Sequence, residues 1–582
     1  PPPPPHPPPR GMGMASPPAA ASPPGEPGRE RPDLVVRGGL VVDGSGAAPF
    51  VGDVAVVGGV ISEVGPHVAA RGRQEIDARG LVVAPGWIDA HTHYDAQWSW
   101  DPYLSPSASC GVTTAVMGNC GIGYAPCQKD RREFLSTLVE SVEDIPGRVI
   151  AEGLTYDFET FEEYLDSLGR ASLACDVAVL VGHAAVRTWV MGRRANLADR
   201  PQGATGSPVL PHEIRAIASL VRDAVAAGAF GFSTSRLLIH RDPSGFLTPG
   251  SLAGSAELLA ICDAIAEGGG GAFEMSNDFA LYDDFGAYAR ADQARLQDYR
   301  LRELRWMTEV ADRHGSRVAF TLNTSPGMEW ILPHLDDLNA RGGLAKGQCY
   351  PRAQGFLFAF GARMHPFVVS PAFADVAKRC PDEGFGLLAA LADPGVRARV
   401  TAQAEDFFSR EHPAGPAELA ALFRPFHRIY RWTPGYEPET GRDDIKSLAL
   451  QGGMRPLEAA YDVMLKGGVL WKPFAGYDSG DNEALRRLFQ HRHVIPGFGD
   501  GGAHETVFQD ACGASGFLTH WVRDRHRGPK LAIEHAVRLN TSDVAHVFGL
   551  EDRGLLAAGK RADINVIDLE RLRVCEPYLV RD

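Results

Sequence analysis

The sequence predicts an α/β protein: a (β/α)8 TIM-type barrel carrying a small composite β-sandwich made from both chain ends and a large insertion. Three observations carry this expectation. Short apolar runs alternate with helical segments through most of the chain, the signature of βα units and a parallel sheet. Eight such runs fit one closed barrel. Glycine-punctuated β-branched runs occur before the first of them and return near the C-terminal end.

Residues 1–33 carry too few large apolar groups to offset the entropy of ordering, and read as a disordered, polyproline-prone tail. In 34–86, "DLVVRGGLVVDGSG" and "GDVAVVGGVISEVG" read as hairpins, the first part of the sandwich. The barrel is assigned to 87–545. Its strands are expected at 87–93, 111–121, 174–187, 228–236, 270–277, 317–324, 347–355 and 493–504. Amphipathic helices at 211–228 and 254–269 lie between them. The stretch of about 356–480 fits no single βα unit and reads as an insertion. In 546–582, "GLLAAGKRADINVIDLERLRV" supplies the second part of the sandwich.

With 582 residues, 44% of them hydrophobic and 22% charged, the chain has an ordinary globular profile and enough length for a sizeable core. A net charge of -14 argues against nucleic acid and anionic membrane surfaces as partners. No apolar run is long enough to span a bilayer. The nine scattered cysteines suit free thiols in a reducing compartment, so the expected location is cytoplasmic. The chain begins at Pro1, which leaves an organellar address open.

The chemistry concentrates at strand ends. In "GWIDAHTHYD", alternation puts Asp89, His91 and His93 on one face, and at the C-terminal end of a barrel strand that face looks into the mouth. Neutral imidazoles at this spacing suit one shared cation, although an isolated His-x-His is more often only a polar strand end. Asp500 in "GFGDGGAH" ends the last strand, where a carboxylate can accept the proton of a polarised water. The alternative is a turn-forming Asp-Gly. His504 either orients a polarised carbonyl or caps the next segment. Cys120 in "MGNCGIG" is a soft ligand for Zn2+ or a small buried hydrophobe. His183, Ser233, Arg236, Glu274 and Arg352 fall near other strand ends; His183 reads as supporting or structural, and Arg236 and Arg352 as clamps for a substrate carboxylate or members of ion pairs. His240 reads as solvated loop.

Taken together, "LVVAPGWIDAHTHYD", "GVTTAVMGNCGIG", "LVGHAAVR", "GFSTS", "GFGDGGAH" and "GKRADINVIDL" resemble the amidohydrolase superfamily, and within it the D-aminoacylase branch of N-acyl-D-amino-acid deacylases. The resemblance runs in order from residue 34 to 574. It implies a metal-bearing barrel with a small β-sandwich and hydrolysis of an amide on an N-acylated D-amino acid or related compound. It makes His91 and His93 the first-strand ligand pair, Cys120 the branch's cysteine ligand and Asp500 the catalytic aspartate.

The pattern departs from that family twice. Glu274 in "FEMS" stands where a ligand histidine is expected, and "AFTLNTSP" on the sixth strand has no histidine, Thr321 and Asn323 being its nearest polar groups. His91, His93, Cys120 and Glu274 with Asp500 remain enough for one open zinc site, so one zinc per chain is expected. The family's last returning strands would follow residue 582, which suggests a fragment. The reading is a metal-dependent amidohydrolase acting on a small N-acylated substrate, with Arg236, Arg352, His183 and His504 as substrate-binding candidates. Hydrolysis of a cyclic amide, or a barrel that has kept only binding or scaffolding, stands as the alternative.

Overall fold

The computed structural model describes residues 31–575, apart from 198–207, 239, 278–292, 323–327, 363, 381–384, 411–422, 424–425, 433–436, 474–476, 478–479, 498 and 505–511. Most of the proline-rich tail, 1–30, lies outside the described residues, as do Asn323 and the last residues, 576–582.

Eight parallel strands form the barrel, seven within the predicted stretches and the seventh in chain order starting before its predicted 347–355: Trp87–Thr92, Val112–Met117, Asp176–Val179 continued by Val181–Gly182, Gly231–Ser235, Ala272–Ser276, Arg317–Thr321, Leu344–Cys349 and Val494–Pro496. Ser233 pairs with Glu274, Glu274 with Ala319 and Ala319 with Lys346, so the register is continuous through the middle strands. The ring closes where Thr92 bridges Gly501 in parallel. The strands are near-continuous apolar runs because both faces are covered. Ile88, Ala90, Val116, Ala178, Leu180, Ala272 and Ile495 form a common core with Val544 and Phe548 of the helix Ser542–Phe548.

Around the barrel, local signals set the helix starts. Thr160 caps Phe161–Gly169 through a capping box with Glu163: the Glu163 N–H donates to Thr160 Oγ1 at 3.2 Å, and the Thr160 N–H to Glu163 Oε2 at 2.9 Å. Such a cap contributes about 1 kcal/mol. Pro211 opens Pro211–Ala227 at a position whose N–H has no helical acceptor, and Gly228 follows its end.

A six-stranded sheet joins the two chain ends. Leu34–Val41 lies centrally between Phe50–Val57 and Val82–Pro85, and Ile564–Ile567 pairs antiparallel with Val82–Pro85. Val36, Val41, Val54, Ile61, Val83 and Leu556 form its core. Between Leu344–Cys349 and Val494–Pro496, the chain builds a separate core rich in aromatics, including Phe358, Phe360, Phe367 and Tyr461. Gly355–Phe358, Leu470–Pro473 and Tyr430–Arg431 form a three-stranded antiparallel sheet there. Among the described residues, no helix is long and apolar enough to cross a membrane.

Candidate metal centre at the barrel mouth

The first strand does not keep simple alternation to its end. Its pairing shifts register between Asp89 and Thr92, and such a shift re-aims the side chains beyond it. Asp89, expected to share a face with both histidines, instead accepts the backbone N–H of His91 at 3.2 Å and of Gly499 at 3.1 Å. It ties the first strand to the last rather than entering the ion pairs of the mouth. Asp500 donates its N–H to His91 O at 2.9 Å, and His93 donates to Gly501 O at 2.7 Å.

Cys120 is delivered by the turn after the second strand. Gly118 and Gly121 flank it at φ +84° and +68°; a Cβ on Gly118 would lie 2.3 Å from Leu180 O, and one on Gly121 2.7 Å from Ser235 N. Glycine is required at both positions. Ser233 Oγ accepts the Gly121 N–H at 3.1 Å and donates to Gly118 O. Asn119 Nδ2 donates to Val116 O at 2.8 Å and to Thr92 O at 3.2 Å. The cysteine itself sits at φ +56°, and Asp500 and His504 at +52° and +53°. Three of the seven described non-glycine residues with positive φ therefore belong to this one cluster, each at a cost of about 1–3 kcal/mol that the surrounding bonds must offset.

One donor atom each from His91, His93 and Cys120 lies within 4.8 Å of the others, the one such grouping among the described residues. Cys120 Sγ is 3.4 Å from His91 Nε2. Asp500 Oδ1 lies 3.4 Å from His93 Nε2 and 3.7 Å from His91 Nε2. His504 Nε2 is 3.8 Å from Asp500 Oδ2. All but His504 are buried.

Glu274 stands apart from the three convergent donors. Its Oε1 lies 3.6 Å from Nδ1 of His91, on the other side of the imidazole from the Nε2 that faces Cys120. Ser276 Oγ donates to the same oxygen at 3.4 Å and sits 3.1 Å from Cys120 Sγ. Glu274, expected as a direct ligand, is not one of the three convergent donors and lies nearest Nδ1 of His91.

Of the two arginines read as carboxylate clamps or ion-pair members, Arg236 takes the second course. Arg236 is buried and bidentate to Glu303, at 3.0 Å from Nε and 2.9 Å from NH2, with its guanidinium 5.5 Å from the Trp306 ring centroid. Arg352 is buried with NH2 3.6 Å from Cys512 Sγ, outside the ion pairs of the cluster. His183 is engaged at both ring nitrogens, by Thr234 Oγ1 at 2.9 Å and Glu257 Oε1 at 3.0 Å, which makes it part of the scaffold. His240, expected in solvent, is buried and hydrogen-bonded to Ser235 at 3.0 Å.

Two participants carried no signal read from the sequence. Glu143, the last residue of the helix Arg132–Glu143, puts Oε2 at 3.4 Å from His93 Nε2 and 3.5 Å from His504 Nε2. It is 1% exposed. Tyr350, just past the strand Leu344–Cys349, donates its hydroxyl to Asp500 Oδ2 at 3.3 Å. A tyrosine at a barrel strand end was a usable signal; Glu143 lies in a βα connection with no motif around it.

The electrostatics are those of a site built for positive charge. Burial works against a charged His93, yet Glu143 and Asp500 outweigh it and hold the imidazole up to about 9. Burial opposes the charge on Asp500, but His93, His504 and His91 hold its carboxyl well below the usual range. Burial pushes Glu274 up to about 8 and His91 down to about 3. The Cys120 thiol is driven well up by burial, then by Glu143, Glu274 and Asp500. Both carboxylate oxygens of Glu143 and Oε2 of Glu274 are buried without a hydrogen-bond partner. Buried polar atoms of this kind are costly unless a ligand satisfies them. Two imidazoles, a thiol and flanking carboxylates are the donors that fit a divalent zinc ion.

The pattern that defines the amidohydrolase family matches residues 74–582. The D-aminoacylase of Alcaligenes xylosoxydans xylosoxydans is 34% identical over 238 residues, 41% of this chain and 43% of that protein. The match therefore spans less than half of that relative's length. The N-acyl-D-glutamate deacylase of the same organism is 27% identical over 560 residues, 94% of this chain and 89% of the relative. Among solved structures, the N-acyl-D-glutamate deacylase of Bordetella bronchiseptica, complexed with zinc and a phosphonate inhibitor, superposes with a TM-score of 0.56 at 23% identity, covering 94% of this chain and 91% of that one. A crystal structure of D-aminoacylase gives the same TM-score, 0.56, at 22% identity, with 92% and 90% covered. These structures share the fold described above, and the sequence match extends over most of the chain, from the small sheet through the barrel. By that extent of agreement, the chain belongs to the amidohydrolase family.

Proposed function

We propose that this chain is a metal-dependent hydrolase that cleaves the linear amide of an N-acyl-D-amino acid, or of a similar N-acylated small molecule, with one zinc per chain. The observation that carries the reading is the convergence of His91, His93 and Cys120 within 4.8 Å, beside an aspartate 3.4 Å from His93. Three protein ligands leave a position free for water or substrate, as catalytic zinc requires. The relatives' substrates, N-acyl-D-amino acids, support the substrate class.

A zinc ion held by these three residues would supply carbonyl polarisation and a more acidic water. The rest falls to the chain. Asp500 accepts the water proton at its carboxylate and returns it to the leaving nitrogen. Tyr350, donating to Oδ2, and the Asp500 N–H, donating to His91 O, fix the carboxylate's direction. Glu274, 3.6 Å from Nδ1 of His91, would support the imidazole from behind and favour Nε2 toward the cation, as carboxylates behind histidine ligands do. His504, with Nε2 3.8 Å from Asp500 Oδ2, would orient the substrate carbonyl.

The test is hydrolysis of N-acetyl-D- and N-acetyl-L-amino acids by zinc-loaded protein, followed by release of the free amine. Turnover of the D-series alone is expected. A folded, zinc-loaded protein that hydrolyses neither series contradicts the reading.

A further inference from the structure

A cavity of about 300 Å³ opens against Gly502 and His93, one of the three convergent donors. One side of it is apolar, formed by Trp100, Ile145, Pro146 and Val149, while His93, Gln97 and Asp101 make the other side polar. Trp100 is 37% exposed and Val149 43%, two of the few large apolar side chains left open on the described surface. Trp100 is seated on Gly153, where a Cβ would lie 2.3 Å from the indole Cε3. The helix Gly147–Gly153 therefore carries both the seat of the indole and Val149.

The polar lining, Gln97 and Asp101, is already committed. Gln97 Nε2 donates to Asp101 Oδ2 at 3.0 Å, and the backbone N–H groups of Tyr103 and Ser105 donate to the same carboxylate at 3.0 and 2.8 Å. Burial opposes the charge on Asp101, but these bonds outweigh it and hold the carboxyl below its usual range. No lysine or arginine is among the described lining residues. Arg148, the neighbour of Val149, has its side chain 88% exposed and paired with Glu152 at 2.8 Å.

We propose that this cavity receives a hydrocarbon group of the substrate, an acyl chain or an amino-acid side chain, and disfavours a carboxylate-bearing one. The preferred substrates are then N-acylated compounds with an apolar group, rather than N-acyl-D-glutamate. The inference rests on the hydrolase reading above and deepens it. A methylene laid on the Trp100–Val149 wall gains roughly fourfold in binding. A second carboxylate would meet the carboxylate of Asp101 along this wall and would lose its water.

The experiment measures kcat/KM of the zinc-loaded protein on a grid: N-acetyl, N-hexanoyl and N-octanoyl derivatives of D-alanine, D-leucine and D-glutamate. The expected result is a rise of roughly fourfold per added methylene along one axis, with the D-glutamate column lowest. The axis that rises identifies whether the acyl chain or the side chain occupies the cavity. Val149→Arg, a change at a half-exposed position, should flatten that rise and improve D-glutamate relative to D-leucine by at least about tenfold. Turnover with D-glutamate preferred, or with no dependence on either axis, overturns the inference and leaves the hydrolase reading standing. If no grid member turns over, the hydrolase reading fails, and calorimetry with N-octanoylglycine and N-acetyl-D-glutamate decides the cavity. Tighter binding of the octanoyl compound, lost in Val149→Arg, supports it; equal affinities overturn it.

Discussion

His93 presents Nε2 to Asp500 Oδ1 at 3.4 Å, and the backbone holds the pair in that relation. The N–H of His93 is bonded to Gly501 O and that of Asp500 to His91 O, so the residue proposed as base is fixed to the strand that carries the ligand pair. Replacing Asp500 with Asn keeps the shape and removes the basic oxygen. Asp500→Asn should retain zinc, measured by elemental analysis, while kcat falls by roughly 10²–10⁴-fold. Wild-type turnover in this variant removes Asp500 from the mechanism.

Glu143 brings a negative charge to the same place from a different element. Its carboxylate contacts His93 and His504 and has no hydrogen-bond donor of its own. Glu143→Gln, nearly isosteric, should weaken zinc affinity by about 10–100-fold in a chelator competition. An unchanged affinity would make Glu143 a bystander.

The difference between what could be read in advance and what could not follows from the range of the interactions. Barrel strands announce themselves locally, through apolar runs set between helical segments, and seven appear where those runs stand, while Leu344–Cys349 begins three residues earlier than its predicted stretch. His91, His93, Cys120 and Asp500 were legible because each closes a strand or the turn after it. Whether Arg236 was a clamp or an ion-pair member stayed open because its partner, Glu303, lies 67 residues away, and nothing in "GFSTSR" reveals it. Glu274 was placed at the right strand end, but which imidazole nitrogen it reaches is a matter of ångströms. Glu143 reaches the site only because the helix Arg132–Glu143 ends against it, a tertiary event without a local pattern. The shift after Asp89 was hidden for the same reason: strict alternation holds only while the register does.

Arg236 offers a test between its two readings. A lysine keeps the charge but loses the two-pronged contact with Glu303. Arg236→Lys should lower stability by about 1–3 kcal/mol in denaturant unfolding and leave KM within about twofold of the wild type. A large rise in KM at unchanged stability would restore a substrate role.

The buried Glu257 links stability to pH. Burial opposes its charge, but Arg187, at 2.7 and 2.6 Å, and His183, at 3.0 Å, outweigh that and hold its carboxyl well below the usual range. A depressed carboxylate stabilises the fold fully above its unfolded pKa, about 4.3, and loses that contribution as pH falls toward the folded value. Glu257→Gln should therefore cost about 3–5 kcal/mol at pH 7, and the gap to wild type should narrow below about pH 4. A gap independent of pH would show that the ion pair is not its source.

The central claim is that His91, His93 and Cys120 hold one zinc ion at the mouth of the barrel. Metal analysis of the purified wild type beside the His91→Ala/His93→Ala double variant tests it most directly, with circular dichroism to establish that both are folded. About one zinc per wild-type chain and none in the folded double variant is the predicted result. Equal zinc in both proteins, or a folded wild type that takes up no zinc, contradicts it.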